Sequence, residues 1–147
     1  MAQDFVGSNN LNLLVPAGQF GTRLLGGKDA ASARYIYTYL SKITRAIFKE
    51  ADDHLLNYLD DDGQSIEPDY YLPILPFVLV NGSDGIGTGW STNIPCYNPI
   101  SISQWIRARI HGIDFSLPST TLGTELPTLH PWWYGFTGEI IQKGTSV

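Results

Sequence analysis

Gly26-Gly-Lys-Asp-Ala-Ala-Ser-Ala-Arg-Tyr-Ile-Tyr-Thr-Tyr-Leu40 runs from a glycine pair through small residues and two cations, Lys28 and Arg34, into alternating tyrosines. The β-branched and aromatic content from Tyr35 to Tyr39 predicts a strand. Leu40, Ile43, Ile47 and Phe48 then recur at helical spacing, so a helix is expected over Ser41–Lys49, with Lys42, Arg45 and Lys49 on one face. By itself such a basic face is a solvated surface. A loop, a strand and a helix in so short a span point to a mixed α/β (α+β) fold.

Upstream, Gly7-Ser-Asn-Asn-Leu-Asn-Leu-Leu14 places capping residues before three leucines, compatible with a short helix or a loop leading into one. Val15 to Lys28 holds one proline and four glycines, too many for a regular element, so an ordered loop with cations at Arg23 and Lys28 is expected. Such loops are disproportionately functional.

Downstream, Leu55-Leu-Asn-Tyr-Leu59, Asp60-Asp-Asp-Gly63 and Gln64-Ser-Ile-Glu67 predict a hairpin with an Asp-Gly turn. Pro68, Pro73 and Pro76 stiffen a connector that reads as a boundary between two parts near residue 76. Phe77-Val-Leu-Val80 is expected to be a buried strand, and Asn81 to Gly89 a second glycine-rich loop. Pro99 to Ile110 reads as an amphipathic helix ended by Gly112, and the aromatic tail from Pro118 reads as β-rich.

The 43% hydrophobic content of 147 residues is sufficient for a core. No window reaches the roughly 18 apolar residues of a membrane span, and no signal peptide opens the chain, so an intracellular protein without a membrane partner is expected. Cys96 has no partner for a disulfide or a zinc site and is expected to be a buried small hydrophobe. Neither terminus reads as a domain end, which suggests a fragment with Met1 internal to a longer chain.

A net charge of -5 argues at first against a nucleic-acid partner, since phosphate contacts need Lys and Arg. The distribution reverses this. Residues 1–50 carry six cations against three acids, a net of +3, and the remainder three cations against eleven acids, a net of -8. The basic third contains the opening stretch.

Pattern alone does not choose among Tyr35, Tyr37 and Tyr39, which would share one face of a regular strand. Ile86, between Gly85 and Gly87, is open to two readings, a tight turn packed into the core or an apolar tip free of side-chain obstruction. His54, His111 and His130 are scattered, and consecutive Asp60, Asp61 and Asp62 point apart, so no metal site is expected within the chain.

Taken together, Asp4-Phe-Val-Gly-Ser-Asn-Asn-Leu-Asn-Leu-Leu14, Gly18-Gln-Phe-Gly-Thr-Arg23, Gly26-Gly-Lys-Asp29, Ala33-Arg-Tyr35, Leu79-Val-Asn-Gly82 and Gly85-Ile-Gly-Thr-Gly-Trp-Ser91 resemble the breakage and rejoining core of eukaryotic-type DNA topoisomerase II. The match covers residues 2–99 closely, and Pro131-Trp-Trp-Tyr-Gly-Phe-Thr-Gly138 is similar to a later piece. Several long motifs in one order are specific where each glycine loop alone is weak.

The resemblance implies that residues 1–75 are the later part of a winged-helix domain bearing the active-site tyrosine, and that 76–147 begin a tower domain. It implies an ATP-dependent, nuclear, homodimeric enzyme acting on double-stranded DNA, with Mg²⁺ ligands and the ATP-binding domain upstream of this segment, which alone would be inactive. It assigns Tyr35 as the nucleophile that forms a 5′-phosphotyrosyl link, and Arg34 as the group that stabilises charge on the reacting phosphate. In a regular strand these two would face opposite ways, so a bend or bulge is expected between them. Arg23, Lys28, Ser32 and Gln19 become phosphate-positioning contacts, and Ile86 an intercalating wedge.

Two other classes fit parts of the sequence. A non-catalytic DNA-bending module would use the basic third and Ile86 and leave Tyr35 idle. A carbohydrate- or protein-binding β module would use the four Trp and eight Tyr, and predicts exposed aromatics in one plane in the tail.

Overall fold

The computed structural model describes residues 1–111 and 128–141. The chain divides into two compact units: Met1–Gln3 with Asn12–Phe77, and Asp4–Leu11 with Val78–Val147. Among the described residues the elements are short hairpins and helices, as the mixed α/β expectation requires.

In the first unit, β1 (Leu14–Ala17) pairs antiparallel with β2 (Tyr37–Leu40) in the register Ala17↔Tyr37, Pro16↔Thr38, Val15↔Tyr39, Leu14↔Leu40. The stretch read as loop from Val15 therefore begins as a strand. Pro16 is tolerated because this two-stranded ribbon has free edges where the missing N–H costs no ladder bond.

The helix expected over Ser41–Lys49 is a single turn, α1 (Thr44–Ile47). Its end has a physical cause. The Ile47 carbonyl accepts from the Ile74 N–H at 2.9 Å, and Phe48 is extended. The basic face is correspondingly reduced: Lys42 and Lys49 fall outside the helix, and Arg45 pairs with Asp53 at 2.7 Å. Leu13 and Ile47 are buried in this unit, with the Thr44 hydroxyl donating to the Leu13 carbonyl.

A 3-10 segment (Glu50–Leu55) precedes the expected hairpin of β3 (Tyr58–Asp61) and β4 (Gln64–Pro68). Asp62 and Gly63 both have left-handed φ, 52° and 83°, the signature of the two-residue turn that matches strand twist. The Asp60 carboxylate accepts from the Gly63 N–H at 2.9 Å.

The division between units falls within α2 (Phe77–Asn81), where a strand was expected. Four consecutive apolar residues carry no period that separates strand from buried helix. Tertiary hydrogen bonds decide it here: in the second unit the Val80 carbonyl accepts from Asn10, and the Asn81 side chain bonds both the N–H and the carbonyl of Leu11. Val80 is fully buried.

The second glycine loop is also a hairpin, β5 (Ser83–Gly87) with β6 (Trp90–Ile94), closed by Thr88 and Gly89 at φ 49° and 82°. The helix expected from Pro99 is present as α3 (Pro99–Ile110), capped by the Asn98 side chain, which accepts from the Ile100 N–H at 2.9 Å. Ile102 is its buried anchor. Gly112, the expected stop, lies outside the described residues. The β-rich tail is not found within 128–141, where one isolated bridge joins Pro131 to Tyr97. Its aromatic pairs, Trp132 with Tyr134 and Trp133 with Phe136, meet edge-on at 64° and 75°. They form no common plane, which removes the feature that a carbohydrate-binding tail predicts.

Candidate functional site

The site assembles on the segment from Gly18 to Tyr37 of the first unit. Gly18 opens it with φ 123°, and a Cβ there would meet Ile36 Cγ2 at 2.8 Å, so the start of the loop lies against its end. The Gln19 carbonyl accepts from the Ala31 N–H at 2.9 Å and closes the loop at its base. Glycine is needed again at Gly21, where a Cβ would lie 2.5 Å from the Gly27 Cα.

A second closure sits above the first. The Asp29 carboxylate accepts from the Thr22 N–H at 2.8 Å and from the Thr22 hydroxyl at 2.7 Å, while the Thr22 carbonyl accepts from the Gly27 N–H at 2.9 Å. These Thr22 bonds hold the Asp29 carboxyl below the ordinary carboxylate range. Sequence reading counted Asp29 only as a charge. A short-range Thr/Asp pair bracketing Gly26-Gly27 was the available signal, but it does not reveal that both carboxylate oxygens are used.

Arg23 lies in a 3-10 turn (Arg23–Leu25) ended by Gly26 in the left-handed conformation, and Lys28 follows Gly27. Both cations are exposed, as are Gln19 and Ser32. The expected bend is present: Ala33–Tyr35 form a further 3-10 turn, closed by the Tyr35 N–H donating to the Ser32 carbonyl at 2.9 Å, and Ile36 returns to extended geometry. Successive side chains in a 3-10 helix diverge by about 120° instead of the 180° of a strand. Arg34 and Tyr35 thereby leave the chain on adjacent sides.

The three tyrosines are no longer equivalent. Tyr37 and Tyr39 belong to β2 and share its face with Val15 and Ala17, whereas Tyr35 sits before the strand at the mouth of the cationic loop. Exposure does not distinguish them, since Tyr35 and Tyr37 are 71% and 72% accessible. Backbone geometry does.

Gln19, Arg23, Lys28, Ser32, Arg34 and Tyr35 thus lie on one continuous segment of the first unit. Ile86 belongs to the second, in β5, with its side chain 87% exposed and Ser91 opposite. It is not packed into a core. Gly85 and Gly87 beside it have no left-handed φ, and a Cβ at either would meet nothing within 4 Å. The fold itself does not require glycine at these two positions.

Among the described residues no three His, Cys, Asp or Glu side chains converge to hold a metal, so these residues do not fit a metal centre. Among them no helix is long and apolar enough to cross a membrane.

A family model described as DNA gyrase/topoisomerase IV matches residues 1–147. The chain is 59% identical over 140 residues to DNA topoisomerase 2 of Pisum sativum, covering 95% of this chain and 9% of the relative. With DNA topoisomerase 2 of Arabidopsis thaliana the identity is 56% over the same span and shares. Its structure superposes, with a TM-score of 0.82 and 49% identity, on the Plasmodium falciparum topoisomerase II DNA-binding, cleavage and re-ligation domain, covering 98% of this chain and 18% of that one. The chain therefore spans about a tenth of the length of these curated relatives.

Proposed function

The chain belongs to the DNA gyrase/topoisomerase IV family, and on that premise we propose that it is the segment of a type II DNA topoisomerase carrying the strand-breaking nucleophile, Tyr35. In this assignment residues 1–75 are the later part of a winged-helix domain and 76–147 the start of a tower domain. The supporting observation is the Ala33–Tyr35 turn, which takes Tyr35 out of the strand alternation and presents it, exposed, beside Arg34 at the mouth of a closed cationic loop.

The Tyr35 phenolic oxygen attacks a DNA phosphorus, the bond from phosphorus to the 3′ oxygen breaks, and a 3′-hydroxyl leaves while the 5′ phosphate stays on Tyr35. One phosphodiester replaces another. A phenol, with a pKa of about 10, leaves more readily than a sugar hydroxyl, so resealing requires no external energy at that step. The Arg34 guanidinium donates to the non-bridging oxygens as charge builds on them. Arg23, Lys28, Ser32 and Gln19 hold the DNA backbone in register without reading its sequence.

Ile86 enters between base steps and kinks the duplex, at a cost of a few kcal/mol per step. The bare flanks at Gly85 and Gly87 let its strand approach the duplex closely. Cutting both strands takes one tyrosine per strand, so the working unit is a homodimer. Mg²⁺ and ATP, like the nuclear location, belong to the whole enzyme, and their binding groups lie outside this chain.

The exposure of Ile86 also suits a DNA-bending module in which Tyr35 is idle. Tyr35→Phe in the full-length protein separates the two: loss of covalent DNA adducts trapped with denaturant supports the nucleophile, and persistence of adducts refutes it.

A further inference from the structure

Thr22 and Asp29 close a loop in which the first residue is Arg23 and the last is Lys28. Each of the two cations therefore springs from a backbone position directly bonded into the closure. We infer that Asp29 and Thr22 are positioning residues for strand breakage: they fix the roots of Arg23 and Lys28, and so the placement of the phosphate that Tyr35 attacks. This rests on the reading of Tyr35 as nucleophile.

Three observations favour a device over an incidental turn. Both carboxylate oxygens of Asp29 are engaged, by the N–H and the hydroxyl of the same residue, and the Thr22 carbonyl is held by the Gly27 N–H. Three groups of one residue therefore hold the loop, which fixes its orientation as well as its distance. The Gly21–Gly27 approach, too close for any side chain at Gly21, lets this closure form. The Gln19–Ala31 bond then ties the closed loop to the turn that carries Arg34 and Tyr35.

Charge supplies the fourth reason. An Asp beside phosphate-binding cations would repel the DNA backbone if it faced outward. With its oxygens spent on Thr22, the same carboxylate orders the loop, and Lys28 next to it is left outward and exposed.

The test uses the full-length enzyme with Thr22→Val, Thr22→Ser, Asp29→Asn and Tyr35→Phe. It reads melting temperature and the single-turnover rate of covalent adduct formation at saturating DNA. Thr22→Val and Asp29→Asn are expected to slow adduct formation by about tenfold or more, because small misplacements of reacting groups are costly. Melting temperature should stay unchanged, and Thr22→Ser, which keeps the hydroxyl, should cleave within about twofold of the parent. The inference is overturned if Thr22→Val and Asp29→Asn cleave at the parent rate, if their defect disappears at saturating DNA, or if it follows a fall in melting temperature that Thr22→Ser shares. Tyr35→Phe reports separately: adducts from that variant refute the nucleophile itself, whatever the loop variants do.

Discussion

The Asn10 side-chain amide donates to the Val80 carbonyl at 2.9 Å, and both residues are buried. The same amide reaches the Trp132 carbonyl at 3.0 Å and, more weakly, that of Tyr97 at 3.4 Å. Its oxygen accepts from the Tyr134 N–H at 2.8 Å. One side chain thus joins α2, the segment before α3 and the aromatic tail of the second unit.

Asn10→Ala should destabilise this unit severely. The substitution leaves several buried backbone groups without partners, each costing on the order of 1–3 kcal/mol, so a total loss of about 3 kcal/mol or more is expected. Urea denaturation of the parent and variant proteins checks it, and Asn10→Asp, which lacks the two donors, should not restore stability.

Gly21→Ala should distort the cationic loop. The added Cβ meets the Gly27 backbone at 2.5 Å, and φ of 99° is foreign to alanine, so a loss of about 1–3 kcal/mol is expected. Faster amide hydrogen exchange at Gly27 and Ala31, confined to this loop, would report it.

Thr88→Asn should stabilise the β5–β6 hairpin. A β-branched residue is strained at φ 49°, and asparagine adopts that conformation readily, so a gain of about 0.5–1 kcal/mol is expected. Thermal unfolding of the two proteins measures the difference.

Cys96 should resist alkylation in the folded protein. Burial pushes its thiol above the ordinary value, against a smaller opposing effect of the hydrogen bond from Trp133, which keeps it protonated near neutral pH. A raised folded value gives a contribution that is complete below the ordinary thiol range and is lost as pH rises through it. Iodoacetamide at mildly alkaline pH should therefore react slowly with native protein and fast in denaturant.

The residues disclosed what was local. The Asp-Gly turn after β3 and the Pro99 start of α3 each follow from chemistry carried within a few positions, and both are present. The bend at Arg34 followed from asking two neighbours to act together. What stayed hidden depended on distant partners. Phe77–Asn81 is helical in a setting where Asn10 and Leu11 take up its polar groups, and α1 stops where Ile74 takes the carbonyl of Ile47. The hairpin from Ser83 to Ile94 was masked by glycines that its backbone does not need. In the site, periodicity found three equal tyrosines and could not separate them, because a turn of three residues has no period of its own.

The most direct test maps the covalent link. Full-length enzyme is trapped on DNA with denaturant, digested with nuclease and trypsin, and the nucleotide-bearing peptide is fragmented in the mass spectrometer. Cleavage after Arg34 and Lys42 gives one peptide holding Tyr35, Tyr37 and Tyr39. Nucleotide mass on Tyr35 alone is the predicted result. Nucleotide on Tyr37, on Tyr39 or on a peptide from elsewhere in the protein would contradict it.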